Sequence, residues 1–160
     1  MMAESKTNAM RILDRMKIRY DVHEYPHGDG PVDALTVAQL TGQDPAKVFK
    51  TLVTKGHSNN YFVFVLPAGA ELDLKKAAKS VGEKSVEMIH VSEINKITGY
   101  IRGGCSPVGM KKQFVTVFAE EALAQDTIYV SGGRIGCQIE AAPKELISAV
   151  RGNTADIIRK

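Results

Sequence analysis

The sequence predicts one α+β domain, residues 1–160, around a mostly antiparallel, curled sheet. Three observations point there. Two pairs of β-like runs are joined by turn residues, "VFKTLVTK" to "YFVFVLP" through "GHSNN" and "TIYVS" to "GCQIEA" through "GG", and each reads as a hairpin. Strand and helix patterns mix without the regular β-α-β rhythm of a parallel sheet. The chain has 160 residues, 44% apolar and 24% charged, which suits a single core. No tryptophan is present, so that core rests on Val, Ile, Leu, Phe, Met and Ala.

The elements follow in order. Thr7 caps a first helix in which Ala9, Met10, Leu13 and Met16 recur at helical spacing. Residues 19–25 alternate polar and apolar and predict a strand. The segment "PHGDGP", 26–31, is a loop, and 33–40 is a helix stopped by Gly42. Asp44-Pro45 opens a short turn, and the first hairpin follows. In "ELDLKKAAKSVG", Asp73 is a cap, Leu74, Ala77, Ala78 and Val81 share a face, and Gly82 ends the helix. "SVEMI" is a short strand, and Ser92 is expected to cap a helix ending at Gly99. "FVTVFA" is a strand and "EEALAQ" a helical turn. After the second hairpin, Pro143 opens a last helix to about Val150. "TADII" is ambiguous.

Composition narrows the functional classes. The longest apolar run, 61–66, is far below the roughly 20 residues that span a bilayer. "MMAESKTNAM" lacks a basic segment followed by an apolar one, so no secretion signal is expected and the cytoplasm is the expected compartment. Cys105 and Cys137 form no CxxC pair and have no metal-ligand spacing with any histidine, so two reduced thiols and no metal are expected. A net charge of +3 permits a polyanionic partner without demanding one. Lys75, Lys76 and Lys79 share one segment and Lys111 and Lys112 another; these are either solvated faces or tRNA-contact candidates.

Few residues invite chemistry. Lys50 stands between Val48 and Leu52 on one face of its strand, with Phe49 and Thr51 on the other. Either the strand is an edge whose outer face meets water, or Lys50 is a cation at a pocket wall, facing phosphate or a polarised carbonyl. The loop "GGCSPVG" is either a turn-rich strand connection or an anion-binding nest in which Gly103 and Gly104 present backbone N–H groups and Pro107 stiffens the chain. Cys105 lacks a recognisable base among His23, His27, His57 and His90. The serines of "CSP" and "VSGG" lack the GxSxG elbow, which argues against a serine hydrolase. His23 and Tyr25 end a strand at a loop, where packing is the commoner role.

Taken together, "VFKTLV", "LDLKKAAKSVGEKSVEM", "TGYIRGGCSPVGMKK" and "TIYVSGGRIGCQIEAAP" resemble the bacterial YbaK/EbsC family in order and spacing, from about residue 8 to residue 158. These are free-standing aminoacyl-tRNA deacylases related to the editing domain of bacterial prolyl-tRNA synthetases. "LKKAAKS" and the GGxSPxG pattern are most similar to the Cys-tRNA(Pro) deacylase group. The resemblance implies an α+β fold with a mixed, barrel-like sheet ringed by helices. It implies trans-editing: hydrolysis of the ester between a mischarged amino acid and the tRNA 3′ end, without metal or cofactor. Cys-tRNA(Pro), and also Cys-tRNA(Cys), are the implied substrates, with Ala-tRNA(Pro) or a non-catalytic tRNA- or synthetase-binding role as alternatives. The implied partners are the tRNA(Pro) acceptor end and prolyl-tRNA synthetase.

By the same resemblance Lys50, Gly103 and Gly104 carry catalysis, and Tyr25, Thr51, Ser106, Pro107 and Ser131 bind substrate. The family's mechanism implies that the substrate's own thiol attacks its ester to give a cyclic thiolactone, with a bound water as the alternative nucleophile. Two departures stand out. Cys105 occupies a position commonly aliphatic or small, and 26–31 differs from the aromatic-containing loop of some relatives.

Overall fold

The computed structural model describes residues 6–28, 30 and 32–160. The reading of the first five residues and of Asp29 and Pro31 in the 26–31 loop therefore lies outside the described residues.

Local sequence fixes most boundaries. Helix α1 (Asn8–Arg15) starts where the Thr7 hydroxyl accepts the Met10 N–H. Strand β1 is Asp21–Glu24. Helix α2 (Ala34–Thr41) is capped by Asp33 and ended by Gly42 in the left-handed region, φ 70°. The first hairpin is β2 (Phe49–Gly56) with β3 (Tyr61–Pro67), paired antiparallel from Phe49–Pro67 to Lys55–Tyr61. Helix α3 (Leu74–Ser80) starts at Asp73, whose carboxylate accepts two N–H groups. Strand β4 (Val86–Met88) follows. A 3-10 turn, Val91–Glu93, precedes α4 (Ile94–Thr98), and its cap is His90, not Ser92. Glu93 reaches back to the His90 N–H, so the cap lies two residues earlier than the Ser92 pattern suggests. Strand β5 (Val115–Ala119), a 3-10 turn, β6 (Ile128–Ser131), β7 (Cys137–Ala141), α5 (Pro143–Ala149) and β8 (Asn153–Ala155) complete the order.

The strands form two sheets. One has the order β1-β7-β6 and is wholly antiparallel; the other has the order β4-β2-β3-β5-β8. In the second, β3 pairs with β5 and β5 with β8 in parallel, and the remaining pairs are antiparallel. The ambiguous "TADII" thus supplies an edge strand. The sheets meet at a single Val48–Tyr129 bridge and through Tyr129 N–H donating to Lys47 O. This is a mixed α+β arrangement but not a closed barrel, because one bridge does not extend into a ladder.

One core lies between the sheets, where Phe49, Val53, Val63, Val65 and Phe118 meet Val130, Ile139, Leu13 and Leu146. A second lies on the other face of the five-stranded sheet, where Phe64, Leu66 and Val117 pack against Ala77, Ala78 and Ile157. Period-2 alternation along β2 and β3 supplies both cores from the same strands. It also places Lys50, opposite Leu66, on the second face and Thr51, opposite Val65, on the first.

Candidate functional site

The site begins with an unfinished strand. β4 pairs with β2 only at Thr54, Lys55 and Gly56, so β2 has an open edge around Lys50 and Thr51. A cavity of about 320 Å3 sits over that edge. Because it lies beside the strand, side chains from both faces of β2 reach it. Its walls come from Tyr25 after β1, from Asp33 and Val37 at α2, from Ser131 of β6 and from Gln138 of β7. Arg102, Gly103 and Cys105 of the glycine loop close another side. The edge-strand and pocket-wall readings of Lys50 are therefore one arrangement.

Lys50 is half-buried, and its Nζ donates to the Ala70 carbonyl at 2.6 Å. Burial pulls its pKa below the usual lysine value, and the carboxylates of Glu71 and Asp33 partly oppose that. The ammonium is thus oriented by a neutral acceptor rather than neutralised by an ion pair. Beside it, the Thr51 hydroxyl is buried and has no hydrogen-bond partner among the described residues. An unmet hydroxyl in a cavity wall costs stability unless a ligand satisfies it. Tyr25 is buried, which raises its phenol pKa. The Ser131 hydroxyl accepts the Gly133 N–H at 3.2 Å, which fixes the start of the second glycine turn. Gln138 is buried, and its Oε1 accepts from Gln43 Nε2 at 2.9 Å.

The glycine loop divides differently from the sequence pattern. Gly103 lines the cavity with φ 84°, a left-handed conformation that glycine adopts without penalty. Its N–H donates to no carbonyl among the described residues. Gly104 is buried instead, and its N–H already donates to Ile101 O at 2.9 Å. That bond occupies the N–H from which an oxyanion contact was expected. Glycine is needed there for space, because a Cβ would come within 2.9 Å of Arg134 Cα. The loop crosses the second glycine turn at backbone distance.

Ser106 and Pro107 also fall outside the cavity wall. Ser106 is fully buried and accepts the Val108 N–H at 3.2 Å. Pro107 lines a separate hollow of about 80 Å3 beside Lys112. Tyr100 donates to Val108 O at 2.6 Å, so this half of the motif holds the loop's shape. The structure thus does not bring Ser106 and Pro107 to the cavity with the other expected substrate-binding residues.

Cys105 lines the cavity, but burial pushes its thiol up to about 11, against a smaller opposing contribution from a bond to Thr98. At neutral pH it is a thiol, not a thiolate nucleophile. None of the four histidines lines the cavity. His23 is tied to Glu140 at 2.9 Å. Among the described residues the site holds no nucleophile paired with a base. What it offers is a cation, a free amide, a free hydroxyl and an enclosing wall.

The five lysines separate as well, and none lines the cavity. Lys75, Lys79, Lys111 and Lys112 are exposed. Lys76 is committed to Asp156 at 3.0 Å and to Ile158 O, and Lys111 donates to Lys96 O at 3.1 Å. Sequence reasoning missed Arg102, Asp33 and Gln138. Arg102 had a readable signal, a cation directly before the glycine pair. Gln138 had none, because only the register of β7 turns it toward the cavity.

The chain matches the aminoacyl-tRNA editing domain family over residues 32–149. It is 46% identical over 157 residues to EbsC of Enterococcus faecalis, named a candidate Cys-tRNA(Pro)/Cys-tRNA(Cys) deacylase, covering 98% of this chain and 96% of that one. It is 31% identical over 100 residues to a proline–tRNA ligase of Fervidobacterium nodosum, covering 62% of this chain and 17% of the ligase. A crystal structure described as a candidate trans-editing enzyme for prolyl-tRNA synthetase superposes with a TM-score of 0.81 at 25% identity, covering 98% of this chain and all of the other.

Proposed function

The chain belongs to the aminoacyl-tRNA editing domain family, and from that premise we propose that it is a trans-editing deacylase that clears Cys-tRNA(Pro), and also Cys-tRNA(Cys). The observation that carries the reading is the composition of the cavity. Lys50, Thr51, Tyr25, Ser131 and Gly103 meet around one space, and none of the described residues lining it is an activated nucleophile.

A cysteinyl ester supplies what the site lacks. Its own sulfur attacks the carbonyl carbon, a C–S bond forms, and the C–O bond to the ribose breaks. The thiol proton ends on the released ribose hydroxyl, and the product is a cyclic thiolactone. Intramolecular attack gains several kcal/mol from proximity alone, so the protein needs mainly to fold and hold the substrate. The Gly103 N–H stabilises the negative charge that grows on the carbonyl oxygen, a contribution of about 3 kcal/mol when such a donor is well placed. Lys50, oriented by Ala70, holds the ester end. The Thr51 hydroxyl gains the partner it lacks by bonding the bound amino acid. No step requires a metal or cofactor. Residues 1–160 act as one deacylase domain on the tRNA acceptor end, in the cytoplasm, with prolyl-tRNA synthetase as the partner that lends tRNA selectivity.

The test is a deacylation panel with purified Cys-tRNA(Pro), Cys-tRNA(Cys), Ala-tRNA(Pro) and Pro-tRNA(Pro). Fast loss of cysteine with proline retained is the expected result. Preference for Ala-tRNA(Pro) replaces the substrate assignment. Salt-sensitive tRNA binding without turnover of any member overturns the enzymatic reading.

A further inference from the structure

Resting on that reading, we propose that Arg102 anchors the phosphodiester on the 5′ side of the tRNA's terminal nucleotide and is the positioning residue of this site. Arg102 lines the cavity and is also exposed, so it stands where the enclosed space meets solvent. The cavity, about 320 Å3, is near the lower end of ligand pockets, roughly 300–1,000 Å3. It takes the aminoacyl group and leaves the phosphodiester chain at the mouth.

Several other cations have partners of their own. Lys50 is held by Ala70 O, Lys47 by Asp126, Lys76 by Asp156 and Arg159 by Glu71. Arg134, across the loop, also has a partner. Arg102 has neither a hydrogen bond nor an ion pair among the described residues. Its five N–H donors form a planar fork that suits a phosphate better than a point charge does. Asp33, the one carboxylate among the residues lining the cavity, is committed to capping α2 through the Thr36 N–H and hydroxyl, both at 2.9 Å. Its charge keeps an anion from the α2 wall and favours the Arg102 side.

Chain geometry links this anchor to the reacting ester. Arg102 and Gly103 are consecutive, with Cα atoms about 3.8 Å apart. A phosphate held by Arg102 therefore fixes the terminal ribose relative to the Gly103 N–H. Binding energy from a part of the substrate that does not react is thereby spent on orienting the ester.

The experiment compares wild type, Arg102→Gln and Arg102→Lys on Cys-tRNA and on a phosphate-free cysteinyl adenosine ester. Binding of the uncharged trinucleotide CCA is measured alongside, across a salt series. On Cys-tRNA, Arg102→Gln should raise KM roughly five- to tenfold with a smaller change in kcat, and Arg102→Lys should recover part of the loss. The slope of log affinity for CCA against log salt should flatten by about 0.7, the loss of one contact to a single strand. The phosphate-free ester should not distinguish the variants. An unchanged salt slope in Arg102→Gln, an equal loss on the phosphate-free ester, or no CCA binding by wild type overturns the proposal. A wild type that binds CCA with an Arg102-dependent slope but deacylates nothing sinks the editing reading and leaves the anchor standing.

Discussion

Gly104→Ala separates the two glycines most sharply. Gly104 does not have a positive φ, so alanine is compatible with the local backbone. Its Cβ, however, would lie 2.9 Å from Arg134 Cα, 3.0 Å from Arg134 C and 3.1 Å from Ile135 N. These are backbone atoms and cannot rotate aside, so the two loops must separate by some tenths of an ångström or more. Overpacking of this kind costs about 1–3 kcal/mol. At about 2–4 °C per kcal/mol for a chain of this size, Tm should fall by about 2–12 °C. The same displacement moves Gly103 and Cys105 on one loop relative to Ser131 on the strand leading into the other, all of which line the cavity. Misplacement by about 1 Å can cost a hundredfold in rate, so kcat/KM on Cys-tRNA should fall by roughly 10- to 100-fold with substrate binding largely kept. The assays are differential scanning calorimetry and single-turnover deacylation. An alanine variant with wild-type Tm would refute the close-packing argument.

Three further outcomes follow from the same geometry. Lys50→Met removes a desolvated charge, so Tm should not fall even though activity does; a drop of several degrees would mean that the bond to Ala70 is mainly structural. Because burial raises the Cys105 pKa to about 11, the site stays protonated well above neutral pH. Alkylation of native protein by iodoacetamide at pH 8 should accordingly be much slower at Cys105 than at a free thiol, and Cys105→Val should retain deacylation; rapid labelling or a dead variant would restore Cys105 as a participant. Ser-tRNA(Pro) should react at least tenfold more slowly than Cys-tRNA(Pro), since a hydroxyl is a far weaker internal nucleophile than a thiol, and equal rates would point to water.

The sequence made the local elements legible because caps, glycines and period-2 runs act over a few residues. Thr7 and Asp73 each cap the helix their position suggests, and Asp33, read as the first helical residue, is the cap of α2. Long-range relations were hidden. Nothing near "TADII" indicates that Asn153–Ala155 pairs parallel to β5, and nothing in "GGCSPVG" tells which amide is free. That choice depends on Ile101 O taking the Gly104 N–H and on Arg134 passing within contact of Gly104. Lys50 was readable as an anomaly in an apolar strand, but its setting required the missing stretch of β4 pairing. The family resemblance placed the motif residues together as a group. Only the fold separated those that face the cavity from Ser106 and Pro107, which support the loop.

The central claim is that the cavity around Lys50 and Gly103 deacylates cysteinyl-tRNA without a nucleophile of its own. The most direct measurement is release of cysteine from Cys-tRNA(Pro) by wild type and Lys50→Met under identical single-turnover conditions. The account predicts rapid release by wild type and a rate near spontaneous hydrolysis for the folded variant. Equal rates in the two proteins would contradict it.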